Sequence, residues 1–351
     1  NQMARHLTNK YNLPDTLVKA VEYDTHRLSG TISVTTLIDG ARIRQLKSIH
    51  DYESDVSENI YALLGTALHH VLERANIQSV TKRAYITVAE HIIGQASKIK
   101  EASPEKSQKL LSGGNWIFSL IPVFFPETTE RYIFEKTMQL PVGEQVISGT
   151  FDLYDKTTGI LYDYKFCSVY QFMSPESREK WVEQTNIYAY MLRNESFPVN
   201  GIRIVAFFRD WSAYGGMKNR NYPPMQIMEI HIDLWDNDKT RILIYKHMNL
   251  HNSAEAGNVP DCDGKTRWAT ADQYAVIPKT KGVKRAINGG IFDTMEGANR
   301  FIAENKHKHT NELYVEVRPG SSKRCESYCP VSKHCPQYKA ELQRIEILEK
   351  G

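Results

Sequence analysis

Three charged side chains end two short apolar stretches near the middle of the chain. Asp152 ends the first stretch, and Asp163 and Lys165 end the second. Side chains two apart in a strand point to the same face, so Asp163 and Lys165 are predicted to project together while Tyr164 points away. If residues 154–159 form the turn of a hairpin, Asp152 converges on the same place.

Two carboxylates and an ammonium at one end of an apolar sheet can hold a hard divalent cation and activate a water molecule. A solvated ion pair is the other interpretation of Asp163 and Lys165, because Asp-x-Lys is a short and common pattern. The apolar residues before Asp163 favour the first interpretation, since charges that close a buried strand are costly unless they are used. The pattern therefore predicts a metal site.

Two amphipathic helices flank these strands in the sequence. The earlier one carries apolar residues at helical spacing around His69 and His70. On the later one, Gln184 and Tyr188 are four apart and share a face. Polar side chains from both helices are therefore candidates for the same site as the charged strand residues.

The order Gly-x-x-x-His, Asp, Asp-x-Lys, Gln-x-x-x-Tyr resembles the PD-(D/E)xK nuclease superfamily and, within it, the RecB-type branch. The resemblance implies that the histidine is a metal ligand and that the glutamine and tyrosine line the catalytic cleft. The spacing from Gly65 favours His69 over His70 as that histidine.

The resemblance also implies a role for each remaining residue. Mg²⁺ or Mn²⁺ is the expected cation. Its expected ligands are His69, Asp152, Asp163 and the main-chain carbonyl of Tyr164. Lys165 would orient or help deprotonate the attacking water, Gln184 would position that water or Lys165, and Tyr188 would support the phosphate.

The fold that the resemblance implies is α/β, with a restriction-endonuclease-like central mixed sheet flanked by helices and a Cys-rich C-terminal metal-cluster region. Residues 1–54 are expected to form an N-terminal segment, 55–253 the RecB-like nuclease core, and 254–351 the Cys-rich region closing on that core. Residues 31–37 resemble the motif that opens RecB-type nucleases. Iron–sulfur members carry a cysteine shortly after it, where residues 39–42 read Asp-Gly-Ala-Arg here.

Hydrophobic periodicity predicts the elements of the core. The predicted helices are 59–73, 85–98, 107–123 with a break at Gly113 and Gly114, 181–192, and 238–251. The predicted strands are 131–139, 144–154, 160–165, 202–208 and 226–232, with a turn at 141–143. Glu135, on the first of these strands, is in a position to face the site, but a solvated side chain is the preferred interpretation.

Residues 209–222 interleave cationic and aromatic side chains between two predicted strands. Single-stranded DNA binding needs both, because cations contact phosphates and bases stack on rings. A flexible surface loop has a similar composition. Both interpretations stay open for this segment.

The second strong pattern is Cys325-x3-Cys329-x5-Cys335. Three thiols this close, in a chain without the composition of a disulfide scaffold, indicate metal binding because thiolates are soft ligands. Three residues are candidates for a fourth ligand, in order of preference: Cys262, Cys167 and His334.

The cysteines are similar to the Cys-x2-Cys-x5-Cys cluster of RecB-family nucleases, among them CRISPR-adaptation and phage exonucleases, in which a distant cysteine completes a [4Fe–4S] cluster. Here the first gap is three residues, and Cys262 follows the nuclease motifs. A [4Fe–4S] cluster is the expected cofactor, and structural Zn²⁺ is the alternative. Unligated cysteines are the third interpretation.

Composition selects no function by itself. The chain has 351 residues and a net charge of +3, which is too small to imply nucleic-acid binding, so a basic groove must come from local clustering. No apolar run approaches the roughly 20 residues that span a bilayer. Residues 1–6 lack an apolar signal region, and five cysteines do not indicate a disulfide scaffold. We expect a cytoplasmic protein, in the host cytoplasm if it is phage-encoded.

Together the patterns predict a metal-dependent deoxyribonuclease, acting as an exonuclease on DNA that is single-stranded or has free ends. A catalytically silent DNA-binding or assembly subunit on a nuclease scaffold is the alternative, and the intact Asp152, Asp163 and Lys165 set argues against it. A zinc-dependent nucleic-acid-binding adaptor would leave the helices of His69 and Gln184 unexplained. A recombination or replication partner stays open.

Overall fold

The computed structural model describes residues 5–23, 30–74, 77–124, 131–280, 282–309 and 311–350. Residues 1–4, part of the segment 1–6 that lacks an apolar signal region, lie outside this range. The chain divides into two units. Unit 1 comprises residues 1–8, 39–54 and 247–351, and unit 2 comprises residues 9–38 and 55–246.

Eleven strands lie in the described residues. In chain order they are β1 (Arg5–Thr8), β2 (Ile32–Ser33), β3 (Tyr52–Asp55), β4 (Tyr132–Val142), β5 (Gln145–Asp155), β6 (Ile160–Cys167), β7 (Gly201–Phe208), β8 (Ile227–Ile232), β9 (Gln273–Pro278), β10 (Ile291–Phe292) and β11 (Leu313–Arg318).

The same part of the chain forms fourteen α-helices, with short 3₁₀ turns between some of them. In chain order the helices are α1 (Asp15–Tyr23), α2 (Val34–Leu37), α3 (Ala41–Ile49), α4 (Ile60–Arg74), α5 (Ile77–Ile99), α6 (Pro104–Phe124), α7 (Val169–Met173), α8 (Pro175–Asn194), α9 (Ala213–Lys218), α10 (Asn237–Glu255), α11 (Gly264–Arg267), α12 (Met295–Asn305), α13 (Lys323–Ser327) and α14 (Pro336–Lys350).

Unit 2 is built on a six-stranded mixed sheet. β4 pairs with one edge of β5 along its length. The other edge of β5 is shared, because β2 runs parallel to its beginning and β6 antiparallel to its end. β6 and β7 are parallel, and β8 closes the sheet antiparallel to β7. A parallel pair needs a crossover connection, which α7 and α8 supply. The expected central mixed sheet flanked by helices is confirmed.

The buried side chains of the sheet follow the two-residue period of a strand. Ile202 and Ile204 are fully buried on β7, and in the parallel register they lie beside Leu161 and Asp163 of β6. α8 packs on the sheet and contributes Ile187 to its core. Asp163 therefore occupies a position in an otherwise apolar row.

α6 continues without interruption through the two glycines, so the predicted break at Gly113 and Gly114 is wrong. A Cβ built on Gly114 would lie 2.6 Å from Ile93 Cγ1 on α5. The glycine is needed because the two helices approach too closely for a side chain. Packing between them offsets the cost of about 1 kcal/mol that glycine brings to a helix interior.

Unit 1 contains a three-stranded antiparallel sheet in the order β10-β9-β11. α12 packs on this sheet, and Val276, Ile277 and Ala298 form its fully buried centre. The remaining helices of the unit include α3, α11, α13 and α14; Cys325 lies on α13, and Cys262, Cys329 and Cys335 lie in the segments between helices. A separate two-stranded sheet joins β1 and β3.

The predicted segments 1–54 and 55–253 each contribute to both units, and the division falls within α10, after Lys246. None of the helices in the described ranges has both the length and the apolar character that crossing a membrane requires.

Candidate functional site

Strands β5 and β6 separate at Asp152. Their antiparallel pairing ends with Leu153 opposite Tyr162. Beyond that pair, the backbone N–H of Tyr164 donates to Asp152 Oδ2 at 2.6 Å. The carboxylate replaces the acceptor that a neighbouring backbone carbonyl would supply, because a buried backbone donor needs a partner.

A histidine and two carboxylates meet beside this point. His69 Nδ1 lies 3.3 Å from Asp152 Oδ1 and 3.3 Å from Glu135 Oε1. One ligand atom from each of the three lies within 4.8 Å of the others. His70 is exposed and lies 3.6 Å from Glu73 Oε2 of the same helix. The structure therefore places His69, and not His70, in the cluster.

The charge of His69 is set by its two acidic neighbours. Burial lowers the pKa of His69, but hydrogen bonds to Asp152 and Glu135 outweigh burial and raise the pKa to about 10. A protonated imidazole therefore balances the two carboxylates. A divalent cation can take over that balance, since the neutral imidazole and both carboxylates are metal ligands.

Glu135 was expected to be solvated, and that expectation is wrong. Phe134 pairs with Leu153 and Lys136 with Phe151, so Glu135 lies opposite Asp152 in the β4–β5 register. Its side chain is 22% exposed and contacts His69. Its φ of 44° is in the left-handed region, which is rare for a residue with a side chain and is found at functional sites.

The side chains predicted on β6 and α8 form one continuous chain of contacts. Lys165 Nζ lies 2.7 Å from Asp163 Oδ2 and donates to Gln184 Oε1 at 2.9 Å. Gln184 Nε2 in turn donates to the hydroxyl of Tyr188 at 3.0 Å. The amide of Gln184 is therefore fixed at both ends, and it holds the Lys165 ammonium in one place.

Asp163 is 3% exposed, and burial raises its pKa while the Lys165 ammonium opposes that rise. Its Oδ2 is in ionic contact with Lys165 but accepts no well-directed hydrogen bond. A carboxylate oxygen has two lone pairs, so this buried atom retains the capacity to bind a cation.

Tyr188 is 5% exposed and packs over β5. A Cβ built on Gly149 would lie 2.6 Å from Tyr188 Cε1 and 2.8 Å from Val34 Cγ2. Glycine therefore makes room for the ring three residues before Asp152. Because its hydroxyl accepts from Gln184, Tyr188 positions that amide.

Tyr164 lies between the two groups. Its amide binds Asp152, and its ring meets the His69 imidazole edge to face at 6.2 Å between centroids. Burial is the main cause of the raised pKa of Asp163, and the negative charge of Asp152 raises it further. All of the predicted active-site side chains therefore lie together in unit 2, and Glu135 joins them.

In unit 1, the four cysteines Cys262, Cys325, Cys329 and Cys335 line one cavity. Cys262 reaches it because its N–H donates to Gln337 Oε1 at 2.9 Å and its carbonyl accepts from Gln337 Nε2 at 2.8 Å. The apolar wall of the cavity includes Ile43, Leu46 and Val331.

The charged wall of the cysteine cavity is cationic. It consists of Arg42, Arg267 and Arg324. Arg324 binds Asp39 with two hydrogen bonds of 2.7 and 2.6 Å, which joins α13 to the start of α3. Burial raises the pKa of Cys262 to about 12 and that of Cys325 to about 11. Neutral thiols are therefore favoured until a positively charged group binds them.

The two alternative fourth ligands lie elsewhere. Cys167 is buried in unit 2 among Val169, Ala206 and Phe208. The His334 ring stacks on His50, with 4.3 Å between centroids.

The comparisons with known proteins leave the family open. No family model matches the chain, and no curated protein matches it. A solved chain described as "Crystal structure of SSO0001" is similar, with a TM-score of 0.34 and 18% identity over 68% of this chain and 85% of that chain. A similarity of this strength carries no argument about function.

Proposed function

We propose that this protein is a metal-dependent deoxyribonuclease of the RecB-like PD-(D/E)xK type, with a restriction-endonuclease-like core in unit 2. The meeting of His69, Glu135 and Asp152 where two strands separate is the observation that carries the proposal. The buried Asp163–Lys165 pair on the neighbouring strand completes it. Single-stranded DNA or DNA with free ends is the proposed substrate.

The donor set fits a hard divalent cation. Glu135 and Asp152 lie opposite each other on paired strands, which costs stability unless a positive charge lies between them. One imidazole with several carboxylate oxygens suits Mn²⁺ or Mg²⁺. The proposed ligands are His69, Glu135, Asp152, Asp163 and the carbonyl of Tyr164. When bound, the cation would polarise the scissile phosphate and lower the pKa of a bound water.

The remaining side chains act through their fixed positions. Lys165 carries a positive charge at the site, orients the attacking water and stabilises the negative charge that grows on the phosphate. Gln184 prevents the Lys165 ammonium from leaving that position. Tyr188 holds Gln184 and is a positioning residue.

A [4Fe–4S] cluster is the proposed occupant of the cysteine cavity. Four thiolates with such a cluster carry net negative charge, and the cavity wall holds Arg42, Arg267 and Arg324, each of which also pairs with a carboxylate: Asp261, Glu341 and Asp39 respectively. Zn²⁺ held by the same four thiolates is the alternative occupant.

The position of Gly40 supports Cys262 as the fourth ligand. A Cβ built on Gly40 would lie 3.2 Å from Cys262 Sγ. Gly40 stands in the segment where iron–sulfur relatives of the RecB type carry their N-terminal cysteine. We therefore propose that Cys262 supplies, from a later point in the sequence, the thiol that this segment lacks.

Digestion of a labelled single-stranded oligonucleotide tests the proposed activity. We expect cleavage with Mg²⁺ or Mn²⁺, none with EDTA, and loss of at least about 100-fold in Lys165→Ala. The Lys165→Ala protein should keep its circular dichroism spectrum and most of its DNA affinity, since phosphate contacts are spread along a groove. DNA binding without cleavage by the wild type would support the silent scaffold instead. Undiminished cleavage by Lys165→Ala would contradict the mechanism.

A further inference from the structure

The segment between β7 and β8 contains a short helix and several hydrogen bonds to its own ends. It contains α9, and the backbone N–H of Ser212 donates to the Tyr222 hydroxyl at 3.0 Å. The indole of Trp211 donates to the carbonyl of Pro223 at 2.9 Å. Trp211 and Tyr222 also pack against the buried cluster around Phe208. These contacts connect both ends of the segment to each other and to the sheet.

This segment is tied to the strand that carries Lys165. The backbone N–H of Arg209 donates to the carbonyl of Cys167 at 3.0 Å. Asp210 Oδ1 accepts from the backbone N–H of Val169 at 2.7 Å. Cys167 is two residues beyond Lys165 on β6, a distance of about 7 Å in a strand. Arg209 therefore lies close to the end of the proposed active site.

The Arg209 side chain also contacts α4, the helix that carries His69. Its guanidinium lies over the ring of Tyr61, 3.8 Å from the centroid. Tyr61 is on α4, eight residues before His69, which corresponds to about 12 Å along the helix. The Tyr61 side chain is 56% exposed. A cation and an accessible ring thus lie together near the proposed metal ligands without belonging to them.

A second pair of the same kind follows on α9. Lys218 Nζ lies 4.3 Å from the centroid of the Tyr214 ring, and Tyr214 is 65% exposed. Two ring–cation pairs on elements anchored to the ends of β6 and β7 combine the groups that bind phosphates with those on which bases stack. A duplex keeps its bases stacked inside, so such pairs favour an unpaired strand.

We infer that Tyr61 and Arg209 form a clamp in which an unpaired DNA base stacks on the face of the Tyr61 ring that Arg209 leaves open while the guanidinium contacts a phosphate, and that Tyr214 and Lys218 form a second pair of this kind. The inference rests on the proposed nuclease function and adds to it the source of the preference for single strands. In this arrangement the clamp binds the strand, and the cluster around Asp152 performs the chemistry.

Two substrates separate the clamp from the chemistry. We expect Tyr61→Ala and Arg209→Ala to raise the KM for a single-stranded oligothymidylate about tenfold or more. Both variants should hydrolyse bis(p-nitrophenyl) phosphate, a diester without bases, at the wild-type rate. Tyr61→Trp should retain oligonucleotide cleavage, since it keeps a ring. Tyr245→Ala is the matched control, because Tyr245 is a similarly exposed tyrosine on α10.

Binding provides the second measurement. Fluorescence anisotropy with a labelled oligothymidylate and with a blunt duplex should give a single-strand preference in the wild type and in Tyr245→Ala, and a smaller one in Tyr61→Ala. Wild-type KM and wild-type strand preference in Tyr61→Ala would overturn the clamp. Equal losses of activity on the oligothymidylate and on bis(p-nitrophenyl) phosphate would also overturn it, because they would show that Tyr61 acts through the fold or the chemistry. If the wild type cleaves neither substrate, the proposed activity fails, and the anisotropy series alone decides on the clamp.

Discussion

The backbone amide of Tyr164 donates to Asp152 Oδ2 at 2.6 Å, at the point where β5 and β6 stop pairing. Asp152 thereby has two tasks. One carboxylate oxygen completes the hydrogen bonding of the sheet, and the other faces His69. The charge of Asp152 and its role in the fold can be separated by substitution, because an amide oxygen also accepts a hydrogen bond.

Asp152→Asn should keep the fold and lose the chemistry. The asparagine oxygen can accept from Tyr164, so we expect a free energy of unfolding within about 1 kcal/mol of the wild type. Loss of the charge should lower cleavage about 100-fold or more. Asp152→Ala should lose both, because the buried amide of Tyr164 then lacks a partner. Urea unfolding and oligonucleotide digestion measure the two effects, and equal stability of the two variants would contradict the structural role.

Tyr188→Phe should slow the reaction without weakening substrate binding. It removes the hydroxyl that holds Gln184, which in turn holds Lys165. Loss of such an outer contact typically costs about 10- to 100-fold, and we expect the cost in kcat with KM unchanged. Tyr190→Phe, on the same helix, is the control. Full activity of Tyr188→Phe would remove Tyr188 from the mechanism.

At position 135 we expect glycine to give a more stable protein than alanine, which is the reverse of their usual order in a strand. Its φ of 44° favours glycine, so Glu135→Gly should be more stable than Glu135→Ala by about 1 kcal/mol. Both variants lack the carboxylate and should gain less thermal stability from added Mn²⁺ than the wild type gains. Differential scanning fluorimetry with EDTA and with Mn²⁺ measures both effects. A more stable alanine variant would mean that the backbone is not left-handed there.

The Arg131–Asp155 ion pair should make stability depend on acid pH. Hydrogen bonds from Arg131 lower the pKa of Asp155 from its ordinary 3.8 to about 2. A carboxyl group whose pKa is lower in the folded state stabilises fully above its ordinary pKa, and the effect is lost as pH falls through the folded value. Asp155→Asn should therefore cost about 1–2 kcal/mol at pH 7 and much less near pH 2.

Urea unfolding between pH 7 and pH 2 measures this difference. Asp238→Asn is the control, because Asp238 forms an exposed pair with Arg241. A cost of Asp155→Asn that stays constant over this range would contradict the lowered pKa.

The cysteine cavity should hold its cofactor through four thiols. Anaerobically purified protein should absorb near about 400 nm if the cofactor is iron–sulfur. Cys262→Ser should lose the bound metal and lower Tm, while Cys167→Ala should retain the metal. Because Gly40 lies beside Cys262, Gly40→Cys should restore part of the metal content to the Cys262→Ser protein. Colourless protein with about one zinc per chain would show that the cofactor is zinc and not an iron–sulfur cluster.

The sequence predicted most of the local structure around the site because its patterns are local. The alternation on β6 predicted that Asp163 and Lys165 share a face, and the four-residue spacing on α8 predicted that Gln184 and Tyr188 do. Lys165 links the two pairs, because it contacts Asp163 of its own strand and donates to Gln184 of α8. Such relations depend on the period of a strand or a helix, which can be read from residue types.

Glu135 was considered for the site but not chosen, because its place depends on the register of a hairpin. The structure turns at Gly143, and Pro141 and Val142 still belong to β4, whereas the predicted turn began at 141. The register from the true turn places Glu135 opposite Asp152. Its left-handed backbone has no sequence signal, since glutamate rarely adopts it. The uninterrupted α6 was missed for a related reason, because the close approach to Ile93 is a tertiary contact.

The ion pair between Asp39 and Arg324 joins residues 285 positions apart. At about 5–20 residues per second, a ribosome needs on the order of half a minute to reach the second partner after making the first. For that time Ile43 and Leu46 on α3 have no Val331 or Cys335 to cover them. During that time the nascent protein therefore carries an amphipathic helix whose apolar residues lack their partners, and a chaperone that binds such helices would find its target near residue 43.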